Sequence, residues 1–192
     1  MYGVIILAGG RGSRMGGVDK AQVTLDGVRL VDHLLARLAP RDDAPVVVVS
    51  PTLTLPVAGV EVVSEAPPYG GPVAGIAAGV AAVGDVDCVG VISVDAPDSA
   101  ELLPVLAAAL AADGSADVAV IRAADGHLQP LCAMWRTDSL HRALSRLDTV
   151  RDQAAKKLLA AAGTVLEVAG GGAERDYDTL AELAERGRAE LP

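Results

Sequence analysis

A chain of 192 residues is long enough to bury a substantial core, and 51% hydrophobic residues exclude an intrinsically disordered polymer. A net charge of −9 excludes a general binder of nucleic acid or of anionic membranes, although it leaves room for an anionic small molecule in a locally positive pocket. With no Phe and a single Trp, the core must rest on Val, Leu, Ile and Ala.

The run Tyr2 to Ala8 is short, apolar and closed by Gly9-Gly10, the pattern of a buried parallel strand. A glycine-rich stretch follows, then a short element over Gln22 to Leu25 that ends at a turn, Asp26-Gly27. Leu30, Leu34, Leu35 and Leu38 fall on one face of a helix over Leu30 to Leu38. Val46 to Val49 and Val60 to Val63 are strands by composition. Pro67 to Gly71 is a loop, Val73 to Val83 a helix of small residues, and Cys88 to Val94 a strand that runs into Asp95-Ala96-Pro97. Beyond it the pattern predicts a helix over Ala100 to Ala112 and strands over Asp117 to Arg122 and Leu131 to Trp135. Helices over Ser139 to Leu147 and Arg151 to Ala162, a strand over Val165 to Val168 and a helix over Thr179 to Arg188 complete it. This alternation predicts an α/β fold: a doubly wound, Rossmann-like three-layer sandwich with a mostly parallel sheet. No repeat or linker divides residues 1–192, so a single domain is expected.

Residues 66–84 carry no charge, but Pro67, Pro68, Pro72 and several glycines break them, and no basic segment precedes a long apolar run. The expectation is a cytoplasmic protein with no membrane span and no nucleic-acid partner. Cys88 and Cys132 have no C-x-x-C partner, and His33, His127 and His141 are scattered, so reduced structural thiols are expected and no His/Cys metal motif.

The stretch Leu7 to Lys20, LAGGRGSRMGGVDK, is the one that points to chemistry. Ligands of open α/β sheets sit at the carboxyl ends of strands, where this stretch begins. Glycines let backbone N–H groups turn toward a phosphate, Arg14 can fork onto its oxygens, and Lys20 supplies a mobile point charge. Between Arg11 and Lys20, Arg11, Arg14 and Lys20 outnumber Asp19. A Walker loop is excluded because the chain contains no Gly-Lys pair, and G-x-G-x-x-G fails because Gly12 is followed by Ser13, Arg14 and Met15 before Gly16.

The same stretch resembles the signature LAGG-x-x-x-RMG-x-x-K of nucleotidyltransferases that activate phosphorylated acceptors. Within that superfamily it most resembles the molybdenum cofactor guanylyltransferases. Later segments resemble the family in the same order: GPVAGIAAG from Gly71 to Gly79, VDAP from Val94 to Pro97, QPLCAMW from Gln129 to Trp135 and DYDTLAEL from Asp176 to Leu183. The resemblance implies transfer of GMP from GTP to the terminal phosphate of molybdopterin with release of pyrophosphate, Mg²⁺ as cofactor, and other proteins of molybdenum cofactor biosynthesis as partners. It implies that Arg14, Lys20 and Asp95 are catalytic. Leu7, Ala8, Gly9, Gly10, Gly12, Arg14, Lys20, Gly71 and Asp95 would bind nucleotide, and Asp95 and Asp178 the metal. Lys156 and Lys157 are candidates for the acceptor phosphate, although a charged pair on a helix is usually a solvated face. Trp135 reads as core, and the small residues of Gly71 to Gly79 equally suit close helix packing.

Two departures keep alternatives open. Asp176-Tyr177-Asp178-Thr179 is closer to the cytidylyltransferase relatives, whereas Gly9-Gly10 is closer to the guanylyl enzymes than the Ala-Gly of those relatives. A sugar-phosphate nucleotidyltransferase would have Thr and Leu where Ser13 and Met15 stand. A non-catalytic nucleotide-binding homologue is the remaining reading.

Overall fold

The computed structural model describes residues 1–10, 17–38 and 44–192. In chain order its elements are β1 (Tyr2–Leu7), β2 (Thr24–Leu25), β3 (Val28–Arg29), α1 (Leu30–Leu38), β4 (Val46–Val49), β5 (Val60–Val63), α2 (Pro72–Ala82), β6 (Cys88–Ser93), α3 (Leu103–Ala112), β7 (Val118–Arg122), β8 (Leu128–Arg136), α4 (Thr137–Ser145), α5 (Ala155–Ala160), β9 (Val165–Ala169), α6 (Leu180–Ala184) and β10 (Ala189–Glu190). Short 3₁₀ helices cover Lys20–Gln22 and Ser99–Leu102.

Seven strands form the main sheet in the order β5-β4-β1-β6-β8-β7-β9. β1 pairs in parallel with β4 and β6, β4 with β5, and β7 with β9, while β8 runs antiparallel to both its neighbours. The sheet is therefore mostly parallel, as the apolar strands predict. β1 shows why these strands carry apolar residues at every position. Val4 and Ile6 face one layer, with Leu30, Leu34 and Leu38 of α1 and Leu103, Leu106 and Leu110 of α3. Ile5 and Leu7 face the other, with Val73, Ile76 and Val80 of α2 and Leu140 of α4. A strand buried on both faces cannot alternate polar and apolar residues. The close approach of α2 depends on Gly79, where a methyl group would lie 2.6 Å from Ile5 Cγ2. Trp135 is core, 2% exposed. No described helix is long and apolar enough to cross a membrane.

Four elements differ from expectation. Gln22 to Leu25 splits into the end of a 3₁₀ turn and β2, which joins β3 and β10 in a separate antiparallel sheet. The β2–β3 turn is tight because Asp26 and Gly27 both take positive φ, 54° and 80°. Arg151 to Ala154 is not helical: Asp152 takes φ 57° and its N–H bonds Gly70 O, which pulls the chain out of the helix before α5. The last predicted helix is only α6, because the chain after it must pair β10 with β2. The predicted strand at Leu131 extends back to Leu128 through a bulge opposite Val120/Ile121.

Candidate active site

The carboxyl ends of β1, β4 and β6 lie side by side, since Leu7 is in register with Val49 and with Ser93. Two adjoining cavities open above them. The smaller, about 260 Å³, is lined by Leu7, Gly9, Gly10, Lys20 and Glu65. The larger, about 510 Å³, is lined by Gln129, Cys132, Gln153, Glu174 and Asp176. Gly71, Pro72, Ser93, Asp95 and Leu131 line both, so they form the wall where two ligands would meet.

Lys20 is fixed from its backbone outward. Asp19 caps the short helix by accepting from Ala21 N at 2.9 Å, and its other oxygen accepts from Thr52 Oγ1 at 2.6 Å. Ala21 is fully buried, which seats the turn on the core. From this base Lys20 Nζ reaches Asp178 Oδ1 at 2.8 Å, Asp95 Oδ2 at 3.2 Å and Tyr177 O at 3.4 Å. Burial opposes the ammonium charge, but the hydrogen bond to Asp178 and the charge of Asp95 outweigh it and raise the pKa above the ordinary lysine value. Lys20 is a permanent cation at neutral pH.

Asp95 stands two residues beyond the end of β6, at the switch from buried strand to the turn that starts the Ser99 helix. Asp178 arrives from the C-terminal segment. That segment is docked by Tyr177 N donating to Asp95 O at 2.9 Å and by the burial of the Tyr177 ring, 6% exposed. Thr179 then caps α6 reciprocally with Glu182: Glu182 N donates to Thr179 Oγ1, and Thr179 N and Asp178 N both donate to Glu182 Oε2. Thr179 is the N-cap of α6, so Asp178 stands just outside the helix, with its side chain turned to Lys20.

Of the residues expected to bind nucleotide, Leu7, Gly9, Gly10, Lys20, Gly71 and Asp95 line the smaller cavity. Ala8 turns its side chain to the opposite layer and is 2% exposed. Gly12 and Arg14 lie outside the described residues. Lys156 and Lys157 are exposed on α5 and line neither cavity. Gly71 has φ 86°, a conformation reserved for glycine, and it turns the chain into α2.

Sequence reasoning missed two carboxylates. Glu65 Oε1 accepts from Gly70 N at 3.0 Å, while Oε2 is buried in the wall of the smaller cavity with no hydrogen-bond partner among the described residues. Glu174, 6% exposed, lies in the wall of the larger one. The available signals were faint: Glu65 is the last charge before the uncharged stretch 66–84, and Glu174 follows three glycines closely. Burial, with the charge of Glu174 nearby, pushes the Cys132 thiol up to about 12, so this cysteine is inert.

A profile of the MobA-like NTP transferase domain matches residues 4–166. The molybdenum cofactor guanylyltransferase of Vibrio atlanticus is 33% identical over 158 residues, 81% of this chain and 77% of that protein. Among solved structures, molybdopterin-guanine dinucleotide biosynthesis protein A of Archaeoglobus fulgidus superposes with a TM-score of 0.68 at 20% identity over 97% of both chains. The 2-C-methyl-D-erythritol 4-phosphate cytidylyltransferase of Thermus thermophilus does so at 0.66 and 20%, over 96% of this chain and 97% of that one. The fold is thus shared by proteins named for different bases.

Proposed function

The chain belongs to the MobA-like NTP transferase domain family, and from that premise we propose that it transfers GMP from GTP to the terminal phosphate of molybdopterin. A phosphate oxygen of the acceptor attacks the α-phosphorus, the bond from that phosphorus to the bridging oxygen of the β-phosphate breaks, and pyrophosphate leaves with the electron pair. The nucleophile is already ionised, so the site has to neutralise charge and align two anions rather than move protons. Lys20 suits the first task, as a cation of the smaller cavity bonded to Asp95 of the shared wall. The N-terminus of α2 suits the second. Gly71 and Pro72, where it begins, lie in the wall shared by the cavities, so the positive end of its dipole faces the place where the attacked phosphorus would lie.

The residues present fit Mg²⁺. Asp95 and Asp178 converge on one positive charge, and two carboxylates completed by phosphate oxygens and water make a typical magnesium site. Bound there, the ion would neutralise the triphosphate as pyrophosphate departs. The same reading assigns the protein to the cytoplasm, among other proteins of molybdenum cofactor biosynthesis.

The observation that carries the choice of base is Glu65. Guanine presents an N–H and an amino group side by side, both donors, and a buried carboxylate oxygen without a partner is the acceptor they need. Cytosine offers its amino group beside a ring acceptor, which a carboxylate repels. Gly10 agrees: it lines the smaller cavity, and a methyl group there would meet no atom of the described residues within 4 Å, so it would take up ligand space. Incubation with GTP, Mg²⁺ and molybdopterin, followed by mass analysis, tests the reaction. The expected product is molybdopterin guanine dinucleotide with one pyrophosphate per transfer; unchanged molybdopterin would refute it.

A further inference from the structure

The larger cavity has a chemistry of its own. Its described lining residues include Asp95, Asp152, Glu174 and Asp176 but no Lys or Arg. Such a wall repels phosphate. Its occupant must be a part of the acceptor that carries hydrogen-bond donors, with the phosphate end directed back to the shared wall and Lys20.

Glu174 is the built feature of this cavity. It is 6% exposed, and a carboxylate so far from water needs hydrogen bonds or a cation. Among the described residues it has a single bond, from Gly172 N to Oε2 at 2.8 Å, and no salt-bridge partner. Its carboxylate packs against Gly170, where a methyl group would lie 2.4 Å from Oε1. Glu65 in the smaller cavity repeats the arrangement: one oxygen held by a nearby glycine N–H, the other with no bond among the described residues. Guanine and pterin share one hydrogen-bonding edge, a 2-amino-4-oxopyrimidine with adjacent ring N–H and amino donors. Two cavities that each hold a carboxylate pinned in the same way match a product with that edge at both ends.

We infer that Glu174 is the residue that selects the acceptor, by accepting hydrogen bonds from the ring N–H and 2-amino group of its pterin. The inference rests on the proposed reaction for the identity of the acceptor. Gln129 and Gln153, in the same wall, supply amides for the remaining ring edge. No bond is made or broken at Glu174; its effect is on which heterocycle is held while its phosphate reaches the shared wall.

The test uses 6-hydroxymethylpterin and 6-hydroxymethyllumazine, which differ only in having an amino or an oxo group at position 2 and carry no phosphate to react. Each is titrated by fluorescence into the whole protein, with GTP present to fill the neighbouring cavity. The wild type should bind the pterin at least about tenfold more tightly than the lumazine, because the lumazine turns an acceptor toward a carboxylate. Glu174→Gln, whose amide still accepts from Gly172 N, should lose that discrimination while GTP affinity and melting temperature stay unchanged. The inference is overturned if the wild type does not discriminate, if it fails to bind pterin up to the solubility limit, or if Glu174→Gln discriminates as well as wild type. The wild-type comparison needs no folded variant. Discrimination without any GMP transfer to molybdopterin would leave the pterin site standing and remove the proposed reaction; transfer without discrimination would remove Glu174 alone.

Discussion

The two cavities share a wall but are built from opposite kinds of chain. The smaller sits over parallel strands β1, β4 and β6, where the chain leaves the sheet through glycines, and Lys20 is the one cation among its described lining residues. The larger sits over β8, the strand that runs against its neighbours, and is walled by acids and amides with no described cation. The difference shows how a protein of net charge −9 can handle two anions. Lys20, the one cation among the described residues that line either cavity, stands beside the wall where phosphates would meet, and Glu65 and Glu174 are assigned to heterocycles that donate hydrogen bonds.

Loss of that charge should have the largest effect. Lys20→Ala should lower kcat by about a hundredfold or more, the cost of about 3 kcal/mol of transition-state charge stabilisation. Steady-state rates on a variant with wild-type circular dichroism measure it, and a loss of only a few-fold would mean the cation does not serve the reaction. Asp95→Ala should flatten the Mg²⁺ activation curve as well as reduce the rate; an unchanged curve would show that Asp95 only holds Lys20. A smaller effect is expected on the base. Glu65→Gln should raise the KM for GTP by about tenfold, within the range for one imperfectly matched contact, and leave the low activity with CTP as it is. An equal change for both nucleotides would give Glu65 a structural role and erase the symmetry between the cavities.

The smallest effect concerns the segment that closes the shared wall. Thr179→Ala removes half of the capping box and should cost about 1 kcal/mol of stability, read as a lower melting temperature. Because the cap also fixes the backbone at Asp178, the variant should need more Mg²⁺ for half activation. A lower melting temperature with an unchanged Mg²⁺ requirement would separate the cap from the site.

Much of the fold was legible because its strands are buried on both faces. Val46 to Val49 can be nothing but a central strand, and Leu30 to Leu38 has one apolar face. The direction of β8 was not legible, because an apolar run does not encode which way its neighbours point. Nor was β10, whose Ala189 and Glu190 have no strand character apart from their pairing with β2. In the site, Lys20 and Asp95 could be read since each stands at the end of a recognisable run. Glu65 and Glu174 are single acids in loops, and what distinguishes them is burial, which only the folded chain creates. Asp178 was legible as a carboxylate, but its meeting with Lys20 across most of the chain length required the docking of Tyr177.

The central claim is that an unpartnered oxygen of Glu65 and the open space beside Gly10 select guanine on a fold also used for other bases. Competition between equimolar GTP and CTP for molybdopterin, with Mg²⁺ and product masses as the readout, tests it most directly. The account predicts the guanine dinucleotide in excess by at least about tenfold. A predominance of the cytosine dinucleotide would contradict it.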